Sequence, residues 1–363
     1  MKIAYIAPEN TVGSLTLWKK AHERRGNQCD YFTLYPSRNR FDNGFCLNLP
    51  LVSTGDWYLR GRHWYYRKFR GGEGDYREKA GCPPVWKPSN SLEAWYFKGR
   101  DRLWSRTVEP FIKVHDLRDY DLYHFEWGLE FYRDGRFAGE MDRRGKGIAC
   151  TYHGQDLRTR GVIPEIDAVS RLNLTSELDL LPKHPHLDYL FLPVDTEKLQ
   201  PRLEVGDPIR ICHSPTNRYY KGSEDIIPAC EAVARDVPGV EFVLIENRSY
   251  DSVLELKRSC DILVDQVHNR GGWGYGMNSV EALALGLVCV TELVPEYETF
   301  LKKHPFINVT AKTLYDKLLE LVKNRSRLGE LKSASRVWVE NIHGLEATSG
   351  QLYAYYDRLG WLG

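Results

Sequence analysis

Two cations, a glycine-rich loop and one glutamate occur in this chain at spacings that suit an anion and a set of hydroxyls. From Ile209 the sequence runs IRICHSPTNRYYKGSEDIIPACEAV, an apolar strand, a polar loop carrying Arg218 and Lys221, then Gly222 and an amphipathic helix. Farther on, GGWGYGMNSVEALALGLVCV from Gly271 to Val290 reads as a glycine-rich loop, a helix starting near Met277, Asn278 and Ser279, a closing glycine and a second apolar strand. Glycines let the backbone approach a ligand closely, and a helix start presents unpaired N–H groups to an anion. Ligands of open parallel sheets collect beyond the carboxyl ends of the strands, so Arg218 and Lys221 are expected to face the same crevice as the Gly276 helix start. Two cations and a helix dipole suit a diphosphate. Glu281, one turn into the helix, is placed to accept hydroxyls from a nucleotide whose phosphates rest on the amides. Glycine-rich turns before helices also occur with no ligand, and it is the second segment that favours a site.

The elements that must position these residues alternate strand and helix through both halves, the pattern of doubly wound parallel sheets in an α/β protein. With 363 residues the chain exceeds one ordinary core. We expect a first Rossmann-like domain over residues 1–195, a second over 196–345, and a C-terminal helix over 346–363 that crosses back to the first. FLPVDTEKLQPRLEVGDP, with Pro193, Pro201 and Pro208, reads as an exposed linker between them. MKIAYIAP is a buried strand followed by Gly13, Ser14 and a helix to Arg25, and IACTYHGQD places His153 and Gly154 directly after a strand over 148–152.

Composition sets bounds on function. A net charge of +1 argues against a strongly basic nucleic-acid binder, and we expect no nucleic-acid partner. No signal peptide and no apolar run of ~18 residues are present, which points to a cytoplasmic protein. Eight scattered cysteines without a C-x-x-C pair read as reduced core residues, and the His184, Pro185, His186 run reads as a loop with no metal. An insertion near 52–110 contains DWYLRGRHWYYRKFR, where aromatics and arginines alternate. Three readings compete for residues 57–70: stacking on a sugar or nucleic acid, peripheral docking at the inner face of an anionic membrane, or packing on the first domain with the arginines reaching water. Packing is the plainest of these, and an acceptor or membrane contact is the leading functional version.

These residues resemble the GT-B glycosyltransferases, in particular the retaining group called glycosyltransferase family 4. In that family an arginine and a lysine followed by glycine bind the donor diphosphate, a pattern matched by Arg218, Lys221 and Gly222. The family's later signature is matched by Gly274, Tyr275, Gly276, Met277 and Glu281, while Trp273 stands where its first glutamate belongs. The resemblance implies two Rossmann-like domains facing a central cleft. It also implies a nucleoside-diphosphate sugar as donor with no further cofactor, metal-independent transfer with retention of configuration, and a saccharide or lipid-linked acceptor, polysaccharide biosynthesis being the common theme. By the same resemblance His153 contacts the donor sugar, and the acceptor enters on the Gly13 and Ser14 side. Glu126 and Asp156 are candidates for acceptor contacts or proton transfer.

The implied chemistry follows from the leaving group. Breaking the bond from anomeric carbon to phosphate puts charge on a nucleoside diphosphate, which Arg218, Lys221 and the Gly276, Met277 and Asn278 amides are placed to meet, with Ser279 and Glu281 completing the donor site. A catalytically degenerate glycosyltransferase-like protein that only binds a nucleotide sugar, or serves as a partner subunit, is the alternative that Trp273 supports. A sugar-nucleotide epimerase is a third.

Overall fold

The computed structural model describes residues 1–37, 40–51, 61, 64, 78–154, 156–270 and 274–362. Most of the 57–70 run and Trp273 lie outside the described residues. The chain divides into two compact units, one of Met1–Phe191 with Ser349–Gly363, the other of Leu192–Thr348.

The first unit holds a seven-stranded sheet in the order β3-β2-β1-β4-β5-β6-β7. Its strands are β1 (Lys2–Ala7), β2 (Gln28–Thr33), β3 (Phe45–Cys46), β4 (Leu122–Glu126), β5 (Gly147–Tyr152), β6 (Leu172–Thr175) and β7 (Leu187–Tyr189). All are paired in parallel. Helices cover both faces of such a sheet, so its strands are buried throughout instead of on alternate residues, and every residue of β4 and β6 is buried, the polar His124, Glu126, Asn173 and Thr175 included. The core gathers Phe32, Phe125, Phe131, Phe137 and Tyr152 with Trp104 and Val108 from the Ser91–Val114 helix.

From Ser349 the Leu345–Arg358 helix packs in this unit through its tyrosines. Tyr353 Oη lies 3.0 Å from His22 Nδ1, and Tyr356 Oη lies 2.6 Å from His124 Nε2.

The second unit has a five-stranded parallel sheet in the order β12-β11-β10-β8-β9. It consists of β8 (Ile209–His213), β9 (Val240–Leu244), β10 (Ile262–Val264), β11 (Val288–Thr291) and β12 (Ile307–Asn308). The chain leaves β8 for β9 on one side and then builds β10, β11 and β12 on the other, so the order reverses between β8 and β10.

Two expectations are corrected. The segment after Leu192 is an exposed linker only in part: Val194, Asp195 and Leu199 are buried, whereas Glu197, Lys198, Gln200, Leu203, Glu204 and Asp207 are exposed. Arg336 draws it in, donating to the carbonyls of Thr196 and Leu199 at 2.6 Å, and Val194 N–H donates to His343 O at 2.8 Å. All eight cysteines are free, but Cys82 is exposed and Cys46 half-buried, so these two are not core residues.

Candidate functional site

The reversal between β8 and β10 is where an open parallel sheet offers a ligand crevice, beyond the strand ends. Two chain segments emerge there. After β8, Asn217 caps a single helical turn, Arg218–Lys221, where a loop was expected, and its side chain accepts from Tyr220 N–H at 3.2 Å. Gly222 then takes a left-handed conformation (φ 69°), and a Cβ there would lie 2.5 Å from Val267 O. Only glycine fits, because the turn is pressed against the chain leaving β10. After β10 comes Asp265, and after the loop comes the Met277–Ala284 helix.

Asp265 joins the two segments. Its side chain is wholly buried and accepts from Lys221 Nζ at 2.6 Å, Asn278 Nδ2 at 2.7 Å and the Ser279 hydroxyl. Burial disfavours the carboxylate, yet the Lys221 charge and these donors hold it below the usual carboxylate range. Lys221 also donates to Gln266 Oε1 at 3.2 Å, and Ser214 Oγ donates to Asn278 Oδ1 at 2.8 Å. Lys221, Asn278, Ser279 and the first turn of the helix therefore converge on Asp265. Arg218 does not join them: its guanidinium is largely exposed and forms a two-bond ion pair with Glu246.

Glu281, one turn farther along the helix, is 6% exposed. Tyr250 Oη donates to its Oε1 at 2.8 Å, and Lys257 Nζ reaches its Oε2 at 2.8 Å. The sequence reading missed both partners. They stand seven residues apart on the Tyr250–Arg258 helix, hence on one face, and that interval was the available signal. Tyr275 turns away from these groups, packing on Phe306, Trp338 and Tyr297, with its hydroxyl 3.0 Å from His343 Nε2. Gly274 is packed against the Tyr297 ring and its carbonyl accepts from Gln266 Nε2 at 2.6 Å. Gly276 caps the helix, and Met277 begins it half-buried.

A second cluster lies in the first unit. Glu126 ends β4 in register with Thr151 on β5, so its carboxylate reaches His153, with 3.1 Å from Oε2 to Nε2. Trp127 and Gly128 turn the chain at once through left-handed conformations (φ 63° and 55°). Asp156 accepts through Oδ1 from the amides of His153 and Leu157 at 2.8 and 2.6 Å, while its buried Oδ2 has no hydrogen-bond partner among the described residues. Burial raises the Asp156 carboxyl to about 6, against the pull of Arg160 and His153. Burial works against a charged His153, but the Glu126 bond and charge, with Asp156 and Glu177 nearby, raise its pKa to about 9. His153 is therefore an imidazolium at neutral pH, with 35% of its side chain exposed to screening water. Gly13 sits at the other side of the sheet's own reversal, after β1, in a left-handed conformation (φ 74°) that starts the helix at Ser14. Buried Asn10 holds that loop, accepting from Leu15 N–H at 3.2 Å and donating to Asp42 O at 2.9 Å.

Among the described residues, Glu224, Asp225 and His268 bring potential metal-ligand atoms within 4.8 Å of one another. The group is already satisfied internally: His268 Nε2 lies 2.7 Å from Asp225, and Arg270 pairs with Glu224. His184 Nε2 lies 2.9 Å from Asp167. No helix among the described residues is long and apolar enough to cross a membrane.

Two Rossmann-like units of parallel strands, each with polar groups beyond the strand ends of its reversal, make this the GT-B fold. No protein-family model matches the sequence, and no curated protein sequence matches it significantly. Solved structures match along its whole length. HepE of Anabaena, solved with UDP and glucose, is 12% identical, with 99% of this chain and 100% of that one covered and a TM-score of 0.58. Sucrose-phosphate synthase from Thermosynechococcus elongatus is 14% identical, with both chains fully covered and a TM-score of 0.57. A Listeria monocytogenes protein described as a candidate UDP-N-acetylglucosamine 2-epimerase is 9% identical over 99% of this chain and 96% of its own, with a TM-score of 0.58. At these identities the likeness concerns the fold.

Proposed function

We propose that this chain is a glycosyltransferase that moves a sugar from a nucleoside-diphosphate sugar to a hydroxyl of a saccharide or lipid-linked acceptor, with retention of configuration and without a metal ion. One observation supports this most: Lys221, Asn278 and Ser279 meet at the β8/β10 reversal, and Glu281 follows on the same helix. That order suits a diphosphate with a ribose attached. The likeness to HepE, solved with UDP and glucose, is consistent with it.

In this reading Lys221, Arg218 and the amides of Gly276, Met277 and Asn278 meet the charge that develops on the leaving diphosphate, and Glu281 takes the ribose hydroxyls. Lys221 and the amides are fixed before reaction, so the charge they meet is stabilised without reorganisation, whereas Arg218 first exchanges Glu246 for the phosphate. His153, as an imidazolium, donates to a sugar oxygen. Glu126 steadies it, and the free oxygen of Asp156 accepts a hydroxyl from acceptor or sugar. Gly13 and Ser14 border the acceptor side. In the same reading the protein works in the cytoplasm, and residues 57–70 are the candidate segment for a peripheral contact at the inner face of the membrane.

Trp273, in place of the family's first glutamate, supports a second reading, a degenerate protein that binds the nucleotide sugar and transfers nothing. A thermal-shift series with UDP, GDP, ADP, dTDP and CMP tests the first step. One diphosphate at a hundred times its Kd should stabilise the parent by about 2.7 kcal/mol, and should fail with Lys221→Ala and Glu281→Ala. The corresponding sugar nucleotides are then assayed for hydrolysis and transfer. Binding without turnover would select the degenerate reading, an epimerised product would select an epimerase, and no shift with any nucleotide would sink the donor site itself.

A further inference from the structure

Glu281, 6% exposed, is held at both of its carboxylate oxygens. Its two oxygens are each taken once, Oε1 by the Tyr250 hydroxyl and Oε2 by Lys257 Nζ, both at 2.8 Å. Lys257 is itself 1% exposed and lies 3.5 Å from Asn278 O, so it ties the carboxylate to the first turn of the Met277–Ala284 helix. Burying an ion pair brings little stability, since apolar side chains of the same volume often do as well or better. Packing alone therefore does not account for the trio.

What the trio does is fix the carboxylate plane and use half of its acceptor capacity. An ionised carboxylate has about four lone-pair sites. Tyr250 and Lys257 occupy one on each oxygen and leave one on each oxygen. Two adjacent hydroxyls of a cis-diol supply two donors at the matching separation. A swinging carboxylate would have to lose rotamer freedom to take both, whereas one held from behind has already lost it.

We propose that Tyr250 and Lys257 are positioning residues that orient Glu281 for a vicinal diol, and thereby make the site select ribonucleotides over nucleotides lacking the 2′- and 3′-hydroxyls. This rests on the donor-site reading of Glu281. The phenol is a fixed donor here: burial and the adjacent Glu281 charge push its pKa well above the ordinary value.

The test is calorimetric binding of UDP and of 2′,3′-dideoxy-UDP to the parent, Tyr250→Phe and Lys257→Met. The dideoxy ligand keeps the base and the diphosphate, so the ratio of the two Kd values isolates the diol. We expect the parent to favour UDP by roughly tenfold or more, the range of a hydrogen bond to a charged group. Both variants should shrink that ratio severalfold while holding dideoxy-UDP within about a factor of two of the parent. Tyr250→Phe removes one oxygen atom and keeps the ring, so it preserves the test if Lys257→Met fails to fold. A Tyr250→Phe protein that keeps the parent's ratio, or weakens both ligands equally, overturns the proposal. A parent that binds both ligands equally overturns it while leaving the diphosphate site standing. A parent that binds neither of these nor any other diphosphate of the thermal-shift series overturns the donor reading and this inference together; where another diphosphate binds, the same comparison is made with it and its 2′,3′-dideoxy form.

Discussion

Replacing Lys221 by methionine separates what this residue does for the fold from what it does for a ligand. Asp265 is wholly buried, and Lys221, 2.6 Å away with its own side chain 16% exposed, is the cation paired with it among the described residues. Removing one member of a buried pair strands the other charge, at a cost of about 3–5 kcal/mol. Asn278 and Ser279 still donate to Asp265, which puts the loss near the low end, about 3 kcal/mol. For a domain of this size that lowers the melting temperature by roughly 6–12 °C. The double variant Lys221→Met, Asp265→Asn restores a neutral group of the same shape that still accepts from Asn278, and should recover most of the loss, giving a coupling of about 2 kcal/mol. Nucleotide binding should not recover with it, because the donor to the diphosphate is gone. Melting curves with and without UDP on the parent, the two single variants and the double variant give both readouts. A single variant that melts within about 2 °C of the parent, or a double variant no more stable than Lys221→Met, would refute the reasoning.

Two further expectations follow from the other charged groups. Glu246→Gln releases Arg218 from its exposed ion pair and should tighten UDP binding by roughly threefold; unchanged or weaker affinity in calorimetry would remove Arg218 from the diphosphate site. The folded pKa of His153, about 9, lies above the unfolded value of ~6.5, so its stabilising contribution is complete below about pH 6.5 and is lost as pH rises through about 9. In melting curves from pH 6 to pH 10, Glu126→Gln should flatten that decline, and an identical decline in parent and variant would show that Glu126 does not hold the proton.

The sequence made the main-chain plan legible because parallel strands announce themselves. MKIAYIAP and ILV are short apolar runs without alternation, and a sheet covered on both faces needs them so. Gly222 before a helix and the glycine-rich stretch before Met277 marked the two segments that the β8/β10 reversal brings together. Side-chain partners were not legible. Asp265 ends a strand in a way that reads as loop support, and nothing local to it says that Lys221, 44 positions away, lands on its carboxylate. Arg218 has the right type and spacing for a phosphate, yet the turn it stands on points it to Glu246, another strand's following loop. The stretch around Val194 carries three prolines and reads as a linker. Its first part is buried, where Arg336, on a helix far along the chain, donates to its carbonyls.

Every cation of the second unit that the donor-site reading uses, or that supports it, already has an anion: Lys221 has Asp265, Arg218 has Glu246 and Lys257 has Glu281. The three pairs differ in what separating them costs. Asp265 and Lys257 are almost fully buried, so parting them from their partners strands a charge. Arg218 is 59% exposed, and water takes up either partner when its pair opens. An arriving diphosphate therefore meets two kinds of positive group. Lys221 offers a fixed N–H donor whose charge Asp265 largely offsets, and it gives direction more than attraction. Arg218 can exchange Glu246 for phosphate with little loss, and its full charge then acts on the ligand. On that reasoning Lys221 sets where the diphosphate lies and Arg218 supplies the charge that its departure from the sugar demands, which is why Glu246→Gln should strengthen nucleotide binding while Asp265→Asn should loosen its placement.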